Sequence, residues 1–207
     1  MEPAPRTRRR RPNDRPDEIL DAALCEFGAC GLAGARVSDI AARAGVAKGT
    51  IYLYFKTKSD LVRGVVLRTV EEAVASLREA AVGDTPRDRL VALLPALWAF
   101  FCSAQFHTVS RLIYAELNDY PDLTQFYSQE IAGKISSVIA GLIDEGVKEG
   151  QFRTLDPGVA ARMLLALCVK HAMWLSRPDL YLHLASQPPS SVLDDIQEFF
   201  FAAIERT

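Results

Sequence analysis

The run Val37-Ser-Asp-Ile-Ala-Ala-Arg-Ala-Gly45-Val-Ala-Lys-Gly-Thr50-Ile-Tyr-Leu-Tyr54 decides the fold. It reads as two short helices around a glycine turn. Ile40, Ala41, Val46 and Ile51 fall where they can brace the pair, leaving Lys48, Gly49, Thr50, Tyr52 and Tyr54 outside. A helix that reads DNA must be short, must offer its first side chains to base edges, and must be held by a packed partner. Gly49 lets backbone approach a base or sugar. Thr50 and the tyrosines can reach phosphate or thymine methyl groups, and Lys48 can reach guanine or phosphate. Lys56 and Lys58 flank the helix end and can neutralise phosphate. Taken singly, each tyrosine is a core aromatic with a wet hydroxyl. Together with the glycine turn and the lysines, they point to a nucleic-acid face.

Outward from this run, hydrophobic residues recur with a period of about 3.6 and no period-two alternation appears. The expected fold class is all-α, with about nine helices. A first helix starts near Asp14 or Arg15, with Ile19, Leu20, Ala23, Leu24 and Phe27 on one face and Gly28, Gly31 and Gly34 ending it. After the quoted pair, Ser59 is expected to cap a long fourth helix. Thr85-Pro86-Arg87-Asp88 starts a fifth. A sixth is expected from about Thr108 to Leu117, and a seventh ends by Gly150. Asp156-Pro157 opens an eighth that is apolar almost all round, and Ser191 is read as the cap of the last. Three parts follow: a flexible basic arm over 1–13, a helix-turn-helix unit over 14–63, and a helical unit over 64–207.

Charge separates the parts. Residues 1–63 carry 12 Lys/Arg against 8 Asp/Glu, a net +4, while the rest carry 12 against 18, a net −6. A basic first part joined to an acidic remainder suits a polyanionic partner for the first part only. Cys25, Cys30, Cys102 and Cys168 form no C-x-x-C pair and no histidine cluster accompanies them, so metal spacing is absent. They read as buried, reduced thiols of a cytoplasmic protein. Leu90 to Ser110 holds no charged residue, but Pro95, Ser103, Gln105, His107, Thr108 and Ser110 interrupt it. It reads as core helix, so no membrane partner is expected. An enzyme is disfavoured: Gly28-x-x-Gly31-x-x-Gly34 has the wrong spacing for a dinucleotide site and follows a helix rather than a strand. No cofactor is expected.

The segment Asp39-Ile-Ala-Ala-Arg-Ala-Gly-Val-Ala-Lys-Gly-Thr-Ile-Tyr-Leu-Tyr-Phe-Lys-Thr-Lys-Ser-Asp-Leu61 resembles the signature of the tetracycline-repressor (TetR/AcrR) family. The resemblance is dense from Ile19 to Leu61. Further on it consists of helix order, Glu149-Gly-Gln-Phe-Arg153 and Asp156-Pro157. It implies that three N-terminal helices bind double-stranded operator DNA, and that six or so more form a ligand pocket and a homodimer interface. The last two helices of each subunit would make a four-helix bundle. By position, Lys48, Gly49, Thr50 and Tyr52 would lie on or near bases, and Tyr54 and Lys58 would grip phosphate. The family commonly has Thr at the start of the second helix. This chain has Ala35-Arg36, which leaves Arg36 or Ser38 for that phosphate contact. The Arg8–Arg11 arm resembles arms that follow the minor groove; the alternative is a solvated tail.

The expected function is a ligand-responsive dimeric transcriptional repressor, released from a palindromic operator by a small, mostly apolar inducer. The alternative is a DNA-binding regulator with no small-molecule ligand. Pocket candidates are Trp98, Phe101, Gln105, Arg111, Tyr114, Phe126, His171 and Trp174, most of which could equally build the core. Interface candidates are Leu164, Leu167, Val192, Ile196, Phe199 and Phe200.

Overall fold

The computed structural model describes residues 15–117, 133–181 and 187–206. The Arg8–Arg11 arm and Phe126 lie outside the described residues. Within them the fold is all-α: α1 (Arg15–Gly34), α2 (Val37–Ala44), α3 (Lys48–Tyr54), α4 (Lys58–Ala80), α5 (Pro86–Cys102), α6 (Ala104–Leu117), α7 (Gly133–Lys148), α8 (Pro157–Leu175) and α9 (Pro189–Ile204). The chain divides into two compact units between Val65 and Val66, and α4 carries the chain from one into the other.

In the first unit, α1 packs on α2 and α2 on α3. Ile19, Leu20, Ala22, Ala23 and Phe27 of α1 are buried, as are Ile40, Ala41 and Ala44 of α2. Gly31 does not end α1. It bends it, at φ 68° and ψ 177°, and helix resumes to Gly34. Gly45 does end α2, at φ 66° and ψ 34°. Only a residue without Cβ takes this left-handed conformation at little cost. It lets Val46 N–H bond back to Ala41 O at 3.0 Å while Gly45 N–H bonds to Ala42 O at 3.2 Å, so two of the carbonyls in the last turn are satisfied. The start of α4 differs from expectation. Thr57, not Ser59, caps it: Thr57 Oγ1 accepts from Asp60 N–H at 3.1 Å, and Asp60 Oδ2 accepts from Thr57 N–H at 2.9 Å. That reciprocal pair satisfies two free amides at once.

In the second unit, α5, α7, α8 and α9 surround one core. Its centre holds Leu90, Leu93, Leu94 and Leu97 of α5, Ile139 and Ile143 of α7, and Leu164 and Cys168 of α8. Thr85 caps α5 as expected, its Oγ1 accepting from Asp88 N–H at 3.1 Å. The uncharged run is broken at Ser103, where α5 and α6 turn through 62°. Helix six therefore begins at Ala104, ahead of the expected Thr108. Asp156 caps α8, its Oδ1 accepting from Val159 N–H at 2.9 Å. The expected cap at Ser191 is absent. Pro188 precedes α9 with no side-chain cap, and Pro189 fills the first turn, where a missing N–H is harmless. By length and composition α8 could cross a membrane, yet Ala160, Ala161, Leu164, Cys168 and Ala172 anchor it in the core.

The Glu149–Arg153 segment ties three helices together. Gly150, at φ 75°, turns the chain after α7. Phe152 is then buried against Gly146, while Arg153 N–H bonds to Ile204 O at 2.9 Å. Arg87 at the start of α5 pairs with Glu205 at 2.5 Å. Two cysteine expectations fail. Cys25 and Cys30 are exposed, because they lie off the buried face of α1. Cys168 is buried as expected, and burial pushes its thiol up to about 12.

A methyl group at residue 146 would overlap the Phe152 ring. Gly146→Ala is expected to destabilise the protein by about 1–3 kcal/mol, as overpacking does, despite the better helix propensity of alanine. Denaturant unfolding checks this.

Candidate nucleic-acid interface and apolar cavities

In the first unit, α3 has one buried residue, Ile51. This short helix is thus pinned by a single side chain and by the turn at Gly45. The remaining positions face outward. Lys48 and Gly49 are exposed and Thr50 is half-buried. Tyr52 is 44% and Tyr54 43% exposed, too open for core aromatics. The Lys48 ammonium lies 6.0 Å from the centre of the Tyr52 ring, so the two share one patch. Leu53 is 82% exposed, an apolar side chain held out in water. Sequence reasoning passed over it because leucine in a helix reads as packing. Nothing lies near the Gly49 Cα, which leaves its backbone open to close approach. Arg36 and Ser38 are exposed at the start of α2. Ser38 Oγ donates to Asp39 Oδ1 at 3.2 Å.

Lys58 has a structural contact that its sequence position did not suggest. Its ammonium donates to the Leu32 carbonyl of α1 and is only partly exposed. The side chain therefore ties α4 to the end of α1, and its two remaining N–H groups are those left for phosphate. A second tie lies beneath α2. Glu26 is buried, and its carboxylate accepts from Arg43 Nε at 3.2 Å. Cys30 Sγ donates to the same carboxylate at 3.5 Å, which raises the Cys30 thiol and opposes a reactive thiolate.

The second unit has two large apolar spaces, one on either side of α8. The first, of about 660 Å³, is walled by Val70 of α4, Phe100 and Phe101 of α5, Phe106 and Ile113 of α6, and Leu165 of α8. Its aromatic wall is mutually packed: the Phe101 and Phe106 rings sit edge to face at 4.9 Å. Among the described residues, Arg162 and Ser136 are its polar members. The second space, of about 870 Å³ and about as open as the first, is a groove along α8 and α9, lined by Met163, Leu167, Trp174, Phe199 and Phe200 among others.

The expected pocket residues are scattered across these spaces. Phe101 lines the first. Tyr114, His171 and Trp174 line the groove on the opposite side of α8. Trp98 is buried in the core. Gln105 is turned away to Thr69 and Glu72, at 3.1 and 3.4 Å. Arg111 is exposed and lines neither space. His171 Nδ1 lies 2.8 Å from Leu167 O, and since a carbonyl only accepts, that nitrogen carries the proton. The interface candidates divide similarly. Leu167, Val192, Ile196 and Phe199 meet around a smaller recess between α8 and α9. Of the six, only Leu167 and Phe199 are accessible: Leu164, Val192, Ile196 and Phe200 are buried in their own subunit, at 0%, 2%, 4% and 3% exposure. Adjacent residues on a helix point about 100° apart, which is why Phe199, 67% exposed, faces out while Phe200 faces in.

Residues 19–65 match the profile of bacterial regulatory proteins of the tetR family, and residues 88–204 match the AefR-like transcriptional repressor C-terminal domain. The chain belongs to the TetR family of transcriptional regulators. The HTH-type transcriptional regulator YhgD of Bacillus subtilis is 29% identical over 157 residues, covering 75% of this chain and 81% of YhgD. The fatty acid metabolism regulator protein of the same organism is 28% identical over 150 residues, covering 71% and 76%. The TetR fold is seen in the structure of FadR from Bacillus subtilis in complex with stearoyl-CoA. It superposes with a TM-score of 0.75 at 23% identity, over 89% of this chain and 96% of that one.

In this TetR-family chain Lys58 is a structural tie. Lys58→Met is expected to lower unfolding stability by about 1 kcal/mol, the usual value of one such hydrogen bond. Urea unfolding of the variant checks it; an unchanged midpoint would return Lys58 to solvent.

Proposed function

We propose that this TetR-family regulator is a dimeric repressor that binds a palindromic operator and is released by a small, mostly apolar inducer. The observation that carries the proposal is the pairing, in one chain, of an outward-facing α3 with an apolar cavity. Lys48, Gly49, Thr50, Tyr52 and Leu53 would meet base edges, Leu53 through thymine methyl groups. Tyr54, Arg36 and Ser38 would hold phosphate. The cavity of about 660 Å³ lies within the roughly 300–1,000 Å³ usual for small-molecule sites. That space favours a ligand over a regulator without one. The similarity to a fatty acid metabolism regulator, and to a FadR whose structure holds stearoyl-CoA, supports a ligand with an apolar chain.

The groove along α8 and α9 is assigned to a second copy of the chain. Only 22% of α8 is buried, although it is strongly apolar, and Met163 and Phe199 are 60% and 67% exposed. An apolar surface of this kind needs a partner. Pairing through it would set two α3 helices about 34 Å apart, one turn of duplex. Inducer in the cavity would change that spacing and lower operator affinity.

Lys48→Gln is expected to weaken binding to an operator obtained by in vitro selection. It should also reduce the slope of log affinity against log salt by about one, as loss of one phosphate contact does. Fluorescence anisotropy at several salt concentrations measures both; an unchanged slope would place Lys48 off the phosphates. Phe199→Glu is expected to yield a folded monomer by analytical ultracentrifugation, with weak operator binding. A dimer that survives the substitution would overturn the interface. Phe200→Glu is a poor test, because it buries a charge within the subunit and unfolds it.

A further inference from the structure

Among the described residues, Arg162 is the charged residue on the wall of the smaller cavity, beside aromatic and aliphatic side chains. It stands in the second turn of an apolar helix. Its guanidinium reaches back along α8 to within 4.0 Å of where a side chain at Gly158 would begin. Asp156 is the nearby acid. It spends Oδ1 on the Val159 N–H, as the cap of α8. Among the described residues, no hydrogen bond or ion pair engages Arg162. An arginine beside apolar rings, with no carboxylate partner among the described residues, offers a fork of donors shaped to take two oxygens of one anionic group.

We infer that the cavity takes an amphipathic anion, its apolar chain against Phe100, Phe101 and Phe106 and its carboxylate or phosphate held by Arg162. This rests on the ligand-responsive reading above and adds the charge of the ligand to it. The physical case is a comparison. A neutral apolar ligand gains the same burial but leaves Arg162 to water. An anion gains the same burial and adds charge-assisted hydrogen bonds. A cation is repelled. Arg162 is exposed at the rim, so the anion's advantage is moderate and salt-sensitive, since exposed charges are screened. Ser136 on α7 offers one further hydroxyl on the same wall.

The test uses the full chain and four probes of equal chain length: decanoate, decyl phosphate, decanol and decylammonium. Each is titrated below its aggregation concentration by isothermal calorimetry, against wild type, Arg162→Gln and Arg162→Glu. Wild type is expected to bind one or both anions about five- to tenfold more tightly than decanol, and decylammonium most weakly. Whichever anion binds more tightly names the headgroup. Arg162→Gln should erase the anion preference while leaving decanol affinity unchanged. Arg162→Glu should reverse the order of anion and cation. Raised salt should shrink the wild-type preference but not decanol binding. Equal binding of decanoate, decyl phosphate and decanol by wild type, or an anion preference that survives in Arg162→Gln, overturns the role of Arg162 and leaves an apolar ligand site standing. Failure of all four probes to bind overturns both. Arg162 is exposed, so neither substitution disturbs the core, and matching thermal melts of the variants verify that.

Discussion

Helix α8 is apolar on more sides than its own subunit can cover, and most of the second unit is arranged around that excess. Ala160, Ala161, Leu164, Cys168 and Ala172 face the core. Leu165 and Arg162 face the smaller cavity, while Met163, Leu167 and Trp174 face the groove. Ala166 and Val169 border both spaces. At those two positions the wall between them is the thickness of one helix and its short side chains. Packed interiors respond to added volume by shifting whole elements. A molecule entering the smaller cavity would therefore act on the helix that also forms the groove. Apolar burial at about 25 cal/mol per Å² would drive such entry, as it would drive pairing along the groove.

The first unit obeys a different constraint, that of holding a short helix still. A helix as short as α3 is not stable alone in water. It persists because Ile51 is buried and because Gly45 closes α2 and redirects the chain. The Glu26–Arg43 pair and the Lys58–Leu32 bond tie α1 to α2 and to α4 around it. With rigidity supplied from behind, the outer face is free to carry Tyr52, Leu53 and Tyr54 in water. Exposed side chains of that kind cost solvation in the free protein, a cost that contact with a duplex would remove.

What was legible in the sequence follows the range of the interactions concerned. The α2–Gly45–α3 turn, the Thr85 cap and the Asp156-Pro157 start are local, so residue type and spacing expose them. Lys58 is not local. Its partner carbonyl belongs to Leu32, 26 residues earlier, and a lysine bound inward looks the same in sequence as one bound to phosphate. Which space each pocket candidate would line was not legible for a related reason. Aromatic content shows that α5 to α8 are rich in large apolar groups. It does not show which side of α8 each one takes, so Phe101 was grouped with His171 and Trp174. The same ambiguity joined Phe199 to Phe200. Arg162 was missed because an isolated charge near the start of an apolar helix reads as solvated surface, and its place on a cavity wall depends on α4 to α7 folding against it.

The claim on which the rest turns is that two copies, joined along α8 and α9, present two α3 helices to one duplex. Hydroxyl-radical footprinting of the full chain on a selected operator tests it most directly. The account predicts two protected segments on one face of the duplex, related by a two-fold axis and centred about one helical turn apart. A single protected segment at saturating protein, or two segments with no symmetry between them, would contradict it.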